Sequence, residues 1–446
     1  MSERVTRRNF LSSSAQVVGT SAAVSVLADT QTAQAAAPAH VRLGIIGCGG
    51  IMGHHVRGLV SRGSAATFNW LCDVDPRQIE KMAGLIPKVF KPAPQTTSRY
   101  EDVLDDPNVD AVIIATPHHW HAPIALRALQ AGKDVYVEKP LSHVFREGRL
   151  MIEATKKYNR IVQHGSQMRS SPVTELAGKL LADGVIGEVK IAKAWNVQNR
   201  GTRKVVPDSD PPSGVDYDRW LGPAPQRKFN VNRFHKNWRV YPDFGNGDIG
   251  DDGIHDVDMA RWGLGVETHP IRITAHGSDV HYGGSNKGDR QYPDNMMVTY
   301  EYAEGKTMIY EDRLFTPYGL HGFDSGNAFY GTKGYMIFSR RGYFQVYLGK
   351  KEKKGPRVPK AIRARRGYDE HMENFLNCVR SRRTPVATPQ IAHLSCALVH
   401  LGEIAFRTRT VLEFDPQNEQ ITNSEQANRM LTKQYRRPYG LPKLTT

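Results

Sequence analysis

Val41-Arg42-Leu43-Gly44-Ile45-Ile46-Gly47-Cys48-Gly49-Gly50-Ile51-Met52-Gly53 decides the fold. The first six residues form a short apolar β run. The rest is a glycine turn that leads into a helical pattern over His55–Ser61. A strand, a glycine turn and a helix in that order let the free N–H groups of a helix N-terminus face an anion. Gly47 permits the tight turn, and Gly49 lets the backbone approach a pyrophosphate. Gly50, Ile51 and Met52 complete the expected cofactor-binding turn. The third glycine of the usual G-x-G-x-x-G spacing is replaced by Met52, and Gly53 follows one residue late.

Working outward, Phe68-Asn69-Trp70-Leu71-Cys72-Asp73 reads as a second strand, and Ala111-Val112-Ile113-Ile114-Ala115 is apolar throughout, as a strand buried on both faces should be. Asp134–Val137 and Arg160–Gln163 follow, with helical stretches at Pro123–Ala131 and Phe145–Tyr158 between them. Such βαβ alternation predicts a doubly wound parallel sheet. Asp73 stands 26 positions after Gly47 at the end of the second strand. A carboxylate there accepts hydrogen bonds from ribose hydroxyls and repels a 2′-phosphate, which favours NAD over NADP.

After Gln163 the pattern changes. A helix over Val173–Leu181 leads to a strand over Val189–Asn196, then to a long proline-rich stretch from Asn199 to Gly247. Five strand patterns follow without helices between them: Ile271–His276, Met296–Tyr302, Thr307–Glu311, Tyr335–Phe338 and Tyr343–Tyr347. Helices are expected over Asp369–Arg380 and Pro389–Thr408. The expected fold class is α/β, an N-terminal Rossmann doubly wound parallel sheet followed by an α+β domain with a large open, mostly antiparallel sheet. The expected organisation is a signal peptide over 1–35, an NAD-binding domain over 36–165, a substrate and oligomerisation domain over 166–415, and a polar C-terminal arm over 416–446.

Two segments carry candidate chemistry. Glu138-Lys139-Pro140 follows a buried strand at its C-terminal end, where ligands of open α/β sheets bind, and Lys139 can donate to a substrate oxygen or to nicotinamide ribose. In Gly245–Asp258, the residues Asp251, His255 and Asp258 lie at i, i+4 and i+7 and would share one face of a continuous helix. A carboxylate one turn from an imidazole can hold its tautomer and charge. The spacing also admits a metal pair, but third and fourth ligands are not in view and no metal site is expected. Gln167, Arg169, Arg233, His235, Trp238 and Tyr241 form a polar and aromatic set suited to a carbohydrate.

Together these residues resemble the Gfo/Idh/MocA family, named for glucose–fructose oxidoreductase, inositol dehydrogenase and rhizopine catabolism. The resemblance spans most of residues 41–410. It rests on Gly47–Gly53, on Ala115-Thr116-Pro117-His118-His119-Trp120-His121, on Ala131–Leu141, and on Asp251-x-Gly253-x-His255-x-x-Asp258. It implies an NAD-dependent oxidoreductase acting on a secondary hydroxyl of a sugar, glycoside or polyol. It implies that Lys139 sits at nicotinamide and substrate, that His255 is the acid/base with Asp251 as its partner, and that Thr116, Pro117 and His121 line the cofactor cleft beside Glu138. His118 stands where such proteins usually carry Asn or Asp. Family members pair through the open sheet, so a homodimer or homotetramer is expected. Two other readings use the same chain: a redox-neutral glycosidase or lyase that keeps its NAD bound, and a non-catalytic sugar-binding protein.

Composition and the first residues bound the setting. The chain has 446 residues, 39% of them hydrophobic and 24% charged, an ordinary globular balance for two or three domains. No run of 18 apolar residues occurs, so no membrane span is expected. The four cysteines form no C-x-x-C pair and should be free thiols. Thr6-Arg7-Arg8-Asn9-Phe10-Leu11, a weakly apolar run from Ala15 to Ala28, and Ala33-Gln34-Ala35 read as a twin-arginine signal and cleavage site, implying a periplasmic protein that folds before export. The formal charge of +15 is partly local: Lys350–Arg366 holds nine Lys and Arg against Glu352. That stretch is expected to be a solvated mobile loop, or more sharply a patch for an acidic glycan. No nucleic-acid-binding module is present.

Overall fold

The computed structural model describes residues 40–444 apart from 62, 64–65, 202–203 and 284–287. The twin-arginine reading of residues 1–35 lies outside the described residues.

Six strands, β1 (Val41–Ile46), β2 (Ala66–Cys72), β3 (Gln95–Thr97), β4 (Ala111–Ile114), β5 (Asp134–Val137) and β6 (Val162–His164), form a parallel sheet in the order β3-β2-β1-β4-β5-β6. The strand order reverses between β1 and β4, which opens the crevice where such sheets bind their ligands. Five helices alternate with these strands: α1 (Gly50–Ser61), α2 (Pro76–Ala83), α3 (Tyr100–Asp105), α4 (His118–Gln130) and α5 (Phe145–Tyr158). Helix α4 begins five residues before the expected Pro123, which lies inside it. Tertiary contacts hold its first turn: the His119 ring nitrogens lie 3.3 Å from the Phe244 carbonyl and 3.1 Å from that of Trp220. The indole N–H of Trp120 donates to the Arg219 carbonyl at 3.0 Å.

The second half begins with α6 (Pro172–Ala182) and β7 (Val189–Val197), then α7 (Tyr217–Leu221), α8 (Gly247–Asp251) and α9 (Gly253–Leu264). Seven strands follow: β8 (Arg272–Ser278), β9 (Asn295–Glu301), β10 (Thr307–Arg313), β11 (Ser325–Gly331), β12 (Gly334–Ser339), β13 (Tyr343–Leu348) and β14 (Lys353–Arg357). The described chain closes with α10 (Tyr368–Ser381), α11 (Pro389–Thr408), β15 (Leu412–Asp415), β16 (Gln420–Ile421) and α12 (Glu425–Arg429). The ten strands form one sheet in the order β14-β13-β12-β11-β7-β10-β9-β8-β15-β16. Only β7 and β10 run parallel; the other paired neighbours are antiparallel. The expected fold class is the observed one.

Alternation along these strands separates two faces. Ala192, Ala194, Met308, Tyr310, Met336 and Phe338 join the core under α9 and α11. Ile191, Met297 and Tyr330 are exposed, and Tyr335 stacks on Tyr347 with ring centroids 4.8 Å apart. Helix α10 returns to the first domain, where Met372, Phe375, Leu376 and Val379 share a core with β1 and β2.

The structure corrects two expectations. Lys350–Arg366 is not a loop: Lys353–Arg357 is the edge strand β14, paired to β13. Edge position accounts for its composition, because Pro356 needs no ladder partner there and exposed lysines discourage further pairing. Strand β11 is absent from the sequence pattern because its inward residues are polar. Ser325 donates to the Asp256 carboxylate and Asn327 Nδ2 to the Asp256 carbonyl at 2.7 Å. The terminal arm is packed on the first domain. After β16 and α12 it runs along α4, where Arg127 and Gln130 each donate at 2.8 Å to the Gly440 and Lys443 carbonyls. Among the described residues no helix is long and apolar enough to cross a membrane. All four cysteines are buried and free.

Helix α9 lies almost wholly buried between the sheet and α11, and one close approach sets its distance from the sheet. A Cβ on Gly263 would sit 2.2 Å from the Phe329 ring, below any real contact distance. Gly263→Val is therefore expected to destabilise the protein by about 1–3 kcal/mol through overpacking. A urea unfolding midpoint equal to that of the parent would show that this contact does not set the spacing.

Candidate active site

The crevice between β1 and β4 opens into a cleft of about 1180 Å³ lined by both domains. Its first-domain wall begins at the glycine turn. Gly47 has a φ of +88°, and a Cβ there would lie 2.8 Å from the Ala115 backbone, so only glycine fits between β1 and β4. A Cβ on Gly49 or Gly50 would meet nothing within 4 Å; both face open cleft. Ile51, Thr116 and Pro117 also line it, and the buried Thr116 Oγ1 has no hydrogen-bond partner. Met52 points the other way and is fully buried in the domain core with β1 and β2. Asp73 lines the cleft at the end of β2 and accepts from the backbone N–H groups of Cys48 at 2.7 Å and Asp75 at 2.9 Å. Burial pushes its carboxyl up to about 6 against those two hydrogen bonds.

The ends of β4 and β5 are tied together by His121, whose ring nitrogens lie 2.6 Å from the Pro140 carbonyl and 2.8 Å from that of Thr116. Glu138 is buried beside them. It lies 2.8 Å from His55 Nε2 and accepts from Gln167 Nε2 at 3.0 Å. Burial would raise its carboxyl, but His55 and Lys139 bring it down to about 2. Lys139 reaches across the cleft to Asp251, donating to its carboxylate at 2.9 Å and to its carbonyl oxygen.

The second domain supplies Asp251 and His255, but not from one continuous helix. α8 ends at Asp251 and α9 starts at Gly253, with Asp252 capping both. Asp251 and His255 face the cleft; Asp258 does not. Asp258 is buried in the core, where Arg169 binds it through Nε at 2.8 Å and Nη2 at 2.7 Å and Ser395 donates at 2.6 Å. Asp251 is engaged by Lys139 and by Arg239, whose Nε lies 2.8 Å away, rather than by His255. Burial alone would raise the Asp251 carboxyl, yet Lys139, Arg239 and their neighbours hold it well below the carboxylate range. His255 is 8% exposed. Burial, reinforced by Arg340 and Lys139, pushes its imidazole down to about 3, with Asp252 and Glu138 opposing. The ring is therefore neutral at any ordinary working pH.

Of the six residues expected around a carbohydrate, Gln167, His235 and Trp238 line the cleft. Arg169 is spent on Asp258. Arg233 donates to Asp208 at 2.9 Å away from the cleft, and Tyr241 is buried in the aromatic cluster of Trp220, Phe234 and Phe244. That cluster makes the 199–247 stretch a self-packed wall. The wall reaches the cofactor side through His235, whose Nε2 lies 3.0 Å from Asp75. It reaches Asp251 through Arg239, which lies over the Trp238 ring at 4.5 Å. His118 sits edge-on to the same indole at 4.6 Å. Sequence reasoning missed Arg200, Arg239, Asp248, Asp252, Arg290 and Arg340, all of which line the cleft. The aspartates were visible in the segment around Asp251. Arg200 and Arg340 give no local signal, because their partners Asp248 and Asp252 lie far along the chain.

Two family models cover most of the chain. "Oxidoreductase family, NAD-binding Rossmann fold" matches residues 41–166, and "Oxidoreductase family, C-terminal alpha/beta domain" matches 177–441. The chain belongs to the Gfo/Idh/MocA oxidoreductase family. Levoglucosan dehydrogenase of Pseudarthrobacter phenanthrenivorans is 28% identical over 289 residues, 57% of this chain and 66% of that one. The scyllo-inositol 2-dehydrogenase (NAD(+)) of Bacillus subtilis is 26% identical over 379 residues, 84% of this chain and 96% of that one. Among solved structures, levoglucosan dehydrogenase in complex with NADH and levoglucosan shares the fold with a TM-score of 0.63 at 21% identity, over 84% of this chain and 99% of that one. Aldose-aldose oxidoreductase from Caulobacter crescentus does so with a TM-score of 0.63 at 19% identity, over 84% and 100%.

The protein is thus an oxidoreductase with NAD as its cofactor, and its residues fit the dinucleotide. The open space over Gly49 and Gly50 admits a phosphate at the α1 N-terminus, Asp73 stands where ribose hydroxyls bind, and the orphaned Thr116 hydroxyl faces the cleft. With His255 held neutral, the imidazole is expected to add no acid limb to kcat/KM of the NAD-loaded protein between about pH 5 and about pH 7, the span over which an unperturbed imidazole would titrate, and any limb from Asp73 at about 6 should persist in His255→Gln. An acid limb near pH 6.5 that vanishes in His255→Gln would contradict this environment.

Proposed function

We propose that the protein oxidises a secondary hydroxyl of a sugar, glycoside or polyol. The observation that carries this reading is the meeting of Lys139 and His255 in the cleft that begins at the Gly47 turn. NAD, when bound, supplies the hydride acceptor at nicotinamide C4. His255, neutral and buried, takes the hydroxyl proton. Lys139, its ammonium fixed on Asp251, stabilises the oxyanion that develops as the proton leaves. Asp251 positions Lys139, a different task from the imidazole-orienting one its spacing suggested. The relatives named as dehydrogenases of levoglucosan and of scyllo-inositol support the substrate class. His255→Ala and Lys139→Ala are each expected to lower turnover by about 10²–10⁴-fold while NAD still binds to His255→Ala. NADH formation by each variant measures this, and near-parent turnover removes that residue from the mechanism.

A second reading, a redox-neutral glycosidase or lyase that returns the hydride to its product, is favoured by the wall formed by residues 199–247. That wall is anchored at Asp75 on one side and at Asp251 on the other, and a cleft closed in this way suits a cofactor that stays bound. Net accumulation of NADH separates the two readings. Export by the twin-arginine route, read from Arg7 and Arg8, points the same way, since a cell envelope holds no dependable pool of free NAD. The exposed face carrying Ile191, Met297 and Tyr330 suits pairing of two copies. Protein recovered from the periplasm is expected to release stoichiometric NAD on denaturation and to scatter light as a dimer or tetramer. Apo-protein that works only with added NAD would overturn retention, a particle with the mass of a single processed chain would overturn pairing, and export unaffected by Arg7→Lys with Arg8→Lys would overturn the route.

A further inference from the structure

The charges on the second domain's side of the cleft are mostly closed into pairs. Arg200 binds Asp248 at 2.7 Å, Arg340 binds Asp252 at 2.9 Å, and Asp251 is shared by Lys139 and Arg239. Asp289 accepts from Asn232 Nδ2 at 2.8 Å. Arg290 departs from this pattern. It lines the cleft, it is only 7% exposed, and its Nε and Nη1 have no hydrogen-bond partner. Among the described residues no carboxylate forms an ion pair with it.

Its surroundings hold the side chain in place without neutralising it. The guanidinium lies 5.7 Å over the Tyr282 ring, and the Tyr282 hydroxyl donates to Asn199, the neighbour of Arg200. The next residue is pinned by the Gln291 N–H donating to the Val240 carbonyl at 3.2 Å. Asp312 senses the charge of Arg290, but it is committed to the Met296 N–H and the Tyr310 hydroxyl, and burial pushes its carboxyl well up. A buried cation without a counter-charge is unfavourable. A guanidinium also presents a flat fork of donors that matches two oxygens of one anion.

We propose that Arg290 is an anion subsite, and that the substrate is a sugar carrying a carboxylate or a sulfate ester whose oxygens take the Arg290 fork. This rests on the sugar oxidoreductase reading and narrows it. A second feature agrees with it. The cations of residues 350–366 run along the sheet edge, and the Ala364 N–H donates to Gly342 in the β12–β13 turn. That turn carries Arg340 into the cleft, and Tyr368, just beyond the cationic run, lines it. A longer acidic glycan would find positive charge from the surface to the site.

The test is calorimetric titration of the NAD-loaded protein with D-glucuronate, D-glucose 6-sulfate and D-glucose, for the parent, Arg290→Met and Arg290→Lys. At least one acidic probe is expected to bind about 10-fold or more tightly than glucose. Arg290→Met should abolish that margin, and Arg290→Lys should keep part of it. The two acidic probes distinguish a carboxylate from a sulfate. Because it removes an unpaired buried charge, Arg290→Met should unfold at the same temperature as the parent or higher; a clear loss of stability would make Arg290 structural and end the proposal. Loss of NAD from Arg290→Met would assign the residue to the cofactor and also end it. Glucose binding as well as the acids would defeat the subsite and leave the sugar reading standing. Failure of all three probes to bind or to reduce NAD would count against both.

Discussion

The ion pair between Lys139 and Asp251 spans the cleft, and other groups that line it take their places from this pair. Lys139 follows β5 in the first domain and Asp251 ends α8 in the second, so the pair is a strut between domains as well as part of the site. Both groups are mostly withdrawn from water, which makes the pair costly to assemble and costlier to break. Losing one partner of a buried pair destabilises by about 3–5 kcal/mol, because the other charge is left behind. Arg239 shares Asp251 and carries the 199–247 wall to the same point. The helix break at Asp252 then turns His255 into the cleft one step beyond the strut.

The site is thus a charge lattice around a neutral imidazole, the base of the proposed reaction. Arg340, paired with Asp252, adds to the burial that holds His255 neutral; Arg200 closes Asp248, and Glu138 is committed to His55 and Gln167. Each of these partners comes from a different element: a β12–β13 turn, the end of β7, α1, and the segment after β6. The two domains must dock before the electrostatics of His255 are defined, so the reactive centre is a property of the assembled pair of sheets and of neither alone.

That dependence explains what could and could not be read from the sequence. The first sheet was legible because β4 is apolar on both faces and the Gly47 turn admits no side chain. Asp73, Lys139, Asp251 and His255 were legible because strand ends and helix spacing placed them locally. Strand β11 was hidden because Ser325 and Asn327 face inward to Asp256, so hydrophobic alternation fails there. The edge strand β14 was hidden because its charges read as solvated loop, when they are what an exposed edge requires. Arg169 and Arg233 looked like sugar ligands only because their acidic partners are far away in sequence or off the cleft: Asp258 lies 89 positions on from Arg169, and Asp208 holds Arg233 from the outer side of the wall. An arginine's role is settled by which carboxylate reaches it first, and one-dimensional spacing does not carry that information.

As the base of the proposed reaction His255 is weak, and that sharpens what the remaining groups must do. An imidazole held down near 3 gains little by taking a proton from an alcohol, whose own acidity is far lower. Transfer becomes favourable only as the negative charge left on oxygen is met by a cation already in place and already dry. Lys139 satisfies both conditions, since Asp251 fixes the ammonium through its carboxylate and its carbonyl without removing its charge from the cleft. In the proposed reaction an oxyanion forming beside Lys139 would also change the field at His255, because Lys139 and Arg340 both add to the burial that holds the ring neutral. A negative charge on the reacting oxygen would screen Lys139 and raise the imidazole's affinity for the proton at the moment the proton moves. In the proposed reaction, the low resting basicity of His255 and the rigid placement of Lys139 are therefore two sides of one electrostatic arrangement, in which the base would become strong only as the substrate reacts.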